Sequence, residues 1–235
     1  MGLKNLGKIN YFNTPTTNPN FFIPLTFKLD KKEKAQFFLY FDTFLKPDIG
    51  LRSLYSPMPD ASEMFPKTIK KTNKFLEPLG LTVRKLTVFV GGPLTDGRNI
   101  HVDGIQGTDG NDYVLEARLS YYELAETPGV IRWFPKTEEY TKFVSTEPGV
   151  YATHWLLPWI EDLKSGKLTW ETCPDFEFET TSNTPSALIR TNMPHYVLQG
   201  PGVRLTVSAQ LVWADTRSTV GVWDHIQQNF HLLGI

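Results

Sequence analysis

The chain has 235 residues, of which 40% are hydrophobic, with 24 Lys and Arg against 25 Asp and Glu. That is enough for one large domain, and a net charge of −1 supplies no global field toward nucleic acid or a membrane surface. A single cysteine excludes a disulfide framework and any zinc site built on several thiolates. The longest nearly apolar run, Trp155 to Ile160, is too short to span a bilayer, and the opening MGLKNLGKINYF lacks the apolar stretch of a signal peptide. A cytoplasmic, reduced setting is therefore expected.

Charge is uneven along the chain. Residues 1–90 carry 14 basic and 7 acidic side chains, a net of +7, whereas residues 91–235 carry 10 and 18, a net of −8. From Lys31 to Leu45, the residues Phe37, Phe38, Phe41, Phe44 and Leu45 recur at helical spacing and predict a core-facing helix. A second helix presents Phe65, Ile69, Leu76 and Leu79 on one side, with Thr72 between. Its other side carries Lys67, Lys70, Lys71 and Lys74, which read as a solvated face before they read as a patch for an anionic partner.

Beyond it, β-branched and alternating segments predict strands at Leu81–Val90, Ile100–Asp103, Tyr113–Leu124, Val130–Phe134, Asp175–Thr180, Ala187–Arg190, Pro194–Leu198 and Val203–Trp213. A third helix is predicted around Trp155, Leu156, Trp159, Ile160 and Leu163, and a fourth over Val220–Leu233. Many short strands punctuated by turn residues indicate a β-sandwich or jelly roll flanked by helices. We expect one domain: a helical N-terminal elaboration over 1–80, a jelly-roll core over 81–213, and a C-terminal helix over 214–235.

The segment with chemical content is Asn99-Ile100-His101-Val102-Asp103-Gly104. On a strand, side chains two apart share a face, so His101 and Asp103 project together and can offer two ligands to a divalent metal. A second element is Asn192-Met193-Pro194-His195, followed by Gln199-Gly200-Pro201-Gly202 and Arg204-Leu205-Thr206-Val207-Ser208. Read as a hairpin, it pairs Val197 with Arg204 and sets His195 opposite Thr206. His195, Arg204, Thr206, Ser208 and Gln210 then line one face, and the opposite face is apolar. Arg204 has the planar fork that takes a carboxylate bidentately and keeps its charge.

Taken together, His101-x-Asp103, the distal His195 and Arg204 nine residues later resemble the signature of the iron(II)- and 2-oxoglutarate-dependent oxygenases. Ala117–Tyr122, Gly129–Phe134, Asn192–His195 and Arg204–Ser208 resemble the branch related to the aspartyl/asparaginyl β-hydroxylases. The resemblance covers residues 85–213 and implies a double-stranded β-helix core. It also implies iron(II) held by His101, Asp103 and His195, 2-oxoglutarate and dioxygen as co-substrates, and hydroxylation of a protein or peptide side chain or an amino acid. Arg204, assisted by Thr206 or Ser208, would anchor the far carboxylate of 2-oxoglutarate. Arg118 and Ser120 would reach its metal-side carboxylate, although Arg118 could instead pair with Glu116 or Glu123.

Two other readings stay open on the residues alone. One is a zinc hydrolase using the same triad, and the other is a non-catalytic jelly-roll binding or structural module. The glycine clusters lack the phosphate-loop pattern, and neither a Gly-x-Ser-x-Gly elbow nor a Cys–His pair is present. His154, His225 and His231 are assigned to helical surroundings, Cys173 to an ordinary thiol, and the tryptophans to the core, with Trp133 a possible pocket wall. Neither the primary substrate nor the oligomeric state can be read from these residues.

Overall fold

A computed structural model describes residues 10–45 except 11, 54–91 except 59, 100–106, 112–123, 128–136, 141–144, 152–156, 176–198 and 202–235, with isolated positions between 162 and 168. Among the described residues it is mainly β, with thirteen strands in two antiparallel sheets, and three short α-helices are described end to end. The first sheet contains β1 (Phe22–Leu25), β2 (Leu54–Met58), β3 (Leu81–Gly91), β6 (Ala117–Tyr121), β11 (Ser186–Arg190) and β13 (Arg204–Trp213), in the order β1-β11-β6-β13-β3-β2. The second contains β4 (His101–Gln106), β7 (Val130–Trp133), β8 (Thr141–Val144), β9 (Ala152–Leu156), β10 (Phe178–Thr181) and β12 (His195–Leu198), in the order β10-β7-β12-β4-β9-β8. Here β5 (Asp112–Val114) also pairs with β4. Strands β3, β6, β11 and β13 thus interleave in sequence with β4, β7, β10 and β12 across the two sheets.

Three predicted helices form. Helix α1 (Lys31–Tyr40) is capped by its own Asp30, whose side chain accepts from the amides of Lys32 and Glu33, and it runs on into a wider turn over Phe41–Leu45. Helix α2 (Pro66–Leu76) begins with proline at its first turn, and its four lysines are exposed, Lys71 reaching Asp30 at 3.1 Å. Helix α3 (Val222–Asn229) follows a left-handed Gly221. Phe37, Phe41, Phe65, Leu76, Val222, Trp223 and Ile226 join Leu205, Val207, Ala209 and Leu211 of β13 in one buried cluster, so the helices cover the outer face of the first sheet. Among the described residues, no helix is long and apolar enough to cross a membrane.

Three expectations need correction. The helix predicted around Trp155 and Leu156 is a strand there, because β9 pairs with β4 on one edge and β8 on the other, which satisfies its backbone on both sides. His154 accordingly lies on that strand, opposite His101 in register. Residues 157–161 and 163, with Trp159, Ile160 and Leu163, lie outside the described residues, as do Trp170 and Cys173.

The Tyr113–Leu124 strand divides into β5 and β6, and the N-terminal 80 residues contribute the edge strands β1 and β2 besides helices. The third correction concerns the expected hairpin of residues 195–208. Strand β12 pairs with β7 and β4, whereas β13 pairs with β3 and β6, so the chain crosses between sheets here instead of turning back on itself. His195 lies opposite His101 and Trp133 in register; Thr206 lies opposite Phe89.

Candidate metal centre

Alternation along β4 and β12 turns His101, Asp103 and His195 toward the first sheet. Ligand atoms of these three residues lie within 4.8 Å of one another. The single register contact between the strands, His195 against His101, brings the imidazoles together, with ring centroids 4.5 Å apart and planes at 48°. Asp103 Oδ1 is 3.2 Å from His101 Nε2 and 4.0 Å from His195 Nε2. Nδ1 of His195 lies 2.9 Å from the Met193 carbonyl, which can only accept. The proton is therefore on Nδ1, and the Nε2 lone pair faces Asp103 and His101.

Electrostatics prepare the same set. Burial, then the neighbouring His101, pushes His195 down to about 4, with Asp103 opposing, so the imidazole is neutral at physiological pH and fit to ligate. For Asp103, burial favours the protonated acid. The Arg118 guanidinium and both imidazoles outweigh it and hold the carboxyl well below the usual range. Arg118 Nε donates to Asp103 Oδ2 in an ion pair that joins the two sheets. Two imidazole nitrogens and one ionised carboxylate oxygen on a common point form a donor set that suits a divalent transition metal.

The facing sheet completes a cavity whose empty space, open solvent at its mouth included, is about 590 Å³. All eight predicted site residues, His101, Asp103, Arg118, Ser120, His195, Arg204, Thr206 and Ser208, line it. Strands β12 and β13 reach it from opposite walls. Thr206 is buried, and the Ser120 and Ser208 hydroxyls bond each other at 2.9 Å.

Arg204 is 7% exposed, has no ion-pair partner among the described residues, and its Nε is buried without a hydrogen bond. Its Cζ stands 5.3 Å from the centre of the Tyr122 ring. Burial lowers the Arg204 pKa and raises Tyr122 to about 12, each partly offset by the other group. An unpaired guanidinium in an enclosed cavity is costly unless an anion completes it.

Sequence reasoning missed several features. Arg118 pairs with Asp103, while Glu116 accepts from the Trp223 amide and Glu123 holds Lys34. At Gly129 a Cβ would lie 3.0 Å from Val197 Cγ1, 3.1 Å from the Leu198 oxygen and 3.2 Å from Arg204 Nη1, so the bare backbone lets the guanidinium sit there. Phe89, Gly91 and Tyr122 add cavity wall. Trp133 is fully buried beside Phe21 and Phe22 and donates to the Arg190 carbonyl, forming core beside the cavity rather than its wall. His225 packs 4.8 Å from Trp213 and His231 is exposed, so neither joins the site. The chain matches no protein-family model and no curated protein.

Proposed function

We propose that this protein is an iron(II)- and 2-oxoglutarate-dependent dioxygenase that hydroxylates a protein or peptide side chain or an amino acid. One observation carries the reading. Three metal-competent groups on one sheet and a buried, unpaired arginine on the other line the same cavity. That arrangement suits an acid that chelates a metal at one end and carries a second carboxylate at the other. The strand order supports a double-stranded β-helix core, because β3-β13-β6-β11 stands against β4-β12-β7-β10 in the interleaved manner such a core requires.

His101 Nε2, Asp103 Oδ1 and His195 Nε2 would hold the metal, with Met193 fixing the tautomer of His195. Iron(II), when bound with 2-oxoglutarate and dioxygen, supplies the oxidising power for hydroxylation of a C–H bond. Arg204 would donate its unspent Nε–H to the far carboxylate, beside the hydroxyl of Thr206, and Tyr122 would support the guanidinium from its ring face. Phe89, Ile131, Ile189 and Val197 make the remaining wall apolar, which excludes water from the buried acid. A zinc hydrolase would need a general base, and the only carboxylate among the described lining residues is Asp103 itself.

The deciding experiment adds iron(II), then 2-oxoglutarate, to metal-free protein without oxygen and follows the visible charge-transfer absorption. The expected result is a band in the wild type, its loss in His101→Ala or His195→Ala with metal affinity reduced at least a hundredfold, and a weakened band in Arg204→Ala. Iron binding without 2-oxoglutarate binding would overturn the dioxygenase reading. Absence of iron binding by calorimetry would overturn the metal site as well.

A further inference from the structure

We infer that Arg118 is a positioning residue that leaves Asp103 a single oxygen for the metal. A carboxylate can hold a divalent ion with one oxygen or two, and the choice decides how many positions remain for a chelating acid. In this cavity the two oxygens are already distinguished. Oδ1 faces both imidazole Nε2 atoms, at 3.2 and 4.0 Å, while Oδ2 accepts from Arg118 Nε.

The guanidinium is itself held. Arg118 is 6% exposed, its Cζ lies 5.4 Å from the centre of the Phe89 ring, and its strand is flanked in register by Gln210 and Ile189. Freeing Oδ2 for the metal would break a buried, charge-assisted bond and leave the Arg118 guanidinium without its partner, so the pair keeps Asp103 to one-oxygen binding. Arg118 comes from the opposite sheet, so it fixes the ligand from outside the strand that carries it. Its Nη1 remains buried without a hydrogen bond at the cavity, a second donor beyond Arg204. The inference rests on the metal-binding half of the proposed function.

Cobalt(II) tests it, because its visible spectrum reports coordination number without turnover. The wild type, Arg118→Met and Arg118→Lys would be loaded with cobalt(II) alone and then titrated with 2-oxoglutarate. The metal-only spectrum of Arg118→Met is expected to shift as Oδ2 joins the coordination. Its affinity for 2-oxoglutarate should fall about tenfold or more, and the lysine, which can still hold Oδ2, should restore the wild-type spectrum. Arg118→Leu, which likewise cannot donate to Oδ2, serves the same comparison if the methionine variant does not fold.

A metal-only spectrum superimposable on the wild type would overturn the inference. That holds even if 2-oxoglutarate binding fell, since Arg118 would then be a direct contact. Failure of the wild type itself to take up cobalt(II) would instead remove the metal reading on which the inference stands.

Discussion

Strand β13 presents two faces that are almost equally buried and chemically opposite. Leu205, Val207, Ala209 and Leu211 lie under the helices, while Arg204, Thr206 and Ser208 line the cavity and Gln210 follows them opposite Arg118, and none of the eight exceeds 7% exposure. The neighbouring β6 repeats the division with adjacent tyrosines. Tyr121 faces the helices, where its hydroxyl meets Thr72 at 2.6 Å, and Tyr122 faces Arg204. Low solvent exposure therefore marks apolar packing on one side of this sheet and a polar cavity wall on the other. The outer face satisfies itself within the chain, whereas the inner face keeps donors and acceptors unspent.

If that division is right, substitutions on the two faces should separate stability from ligand binding. The largest loss of stability is expected at Trp223, fully buried on the outer side. Trp223→Ala should cost about 3–5 kcal/mol in chemical denaturation yet leave the metal affinity of the folded protein unchanged. On the inner side, Arg204→Met should leave stability unchanged or raise it by about 1–2 kcal/mol, because an apolar chain replaces an unpaired buried cation. The same variant should lose about 2–4 kcal/mol of 2-oxoglutarate binding by calorimetry. A drop in stability matching that at Trp223 would erase the distinction between the faces.

The smallest effects concern the tyrosines. Tyr121→Phe should cost about 1 kcal/mol at neutral pH through the Thr72 bond, and Tyr122→Phe close to nothing, since its hydroxyl has no hydrogen-bond partner. Alkali brings out a further effect at Tyr122. The Tyr122 pKa is raised by burial from 10.0 to about 12, so the neutral phenol is retained in the folded protein and lost in the unfolded chain. Its stabilisation is complete below pH 10 and declines at about 1.4 kcal/mol per pH unit as pH rises from 10 to 12. Tyr122→Phe should flatten that part of the wild-type pH–stability curve, measured by denaturant titration.

Alternation made the site residues legible. His101 with Asp103, and Arg204 with Thr206 and Ser208, share faces because strands have a period of two, and all of them reach one cavity. Alternation says nothing of which strand lies next door. Gln199–Gly202 reads as well for a crossing between sheets as for a tight turn, and the structure has the crossing. The Arg118–Asp103 pair was hidden for the same reason, its partners standing on facing sheets.

Strands β1 and β2 escaped notice because each contains a proline, Pro24 and Pro57, which argues against a central strand. They occupy the two ends of the first sheet, where a missing amide donor is tolerated. At Trp155 and Leu156, helical spacing of apolar residues was overridden by pairing with β4 and β8, which sequence distance concealed.

The ends of the helices hold a consequence for how this chain assembles. Helix α1 is capped by its own Asp30, but α2 and α3 have no capping side chain of their own. Glu33 of α1 supplies the cap of α2, accepting from the Lys67 and Thr68 amides at 2.6 and 2.9 Å and from the Thr68 hydroxyl at 2.7 Å. Glu116, just ahead of β6, accepts from the Trp223 amide at 3.3 Å at the start of α3. Neither helix can complete its first turn before the element that caps it has docked. Local opening is thereby coupled to tertiary contact: α1 and α2 fray or form as one cooperative unit, and α3 joins only a sheet already laid down.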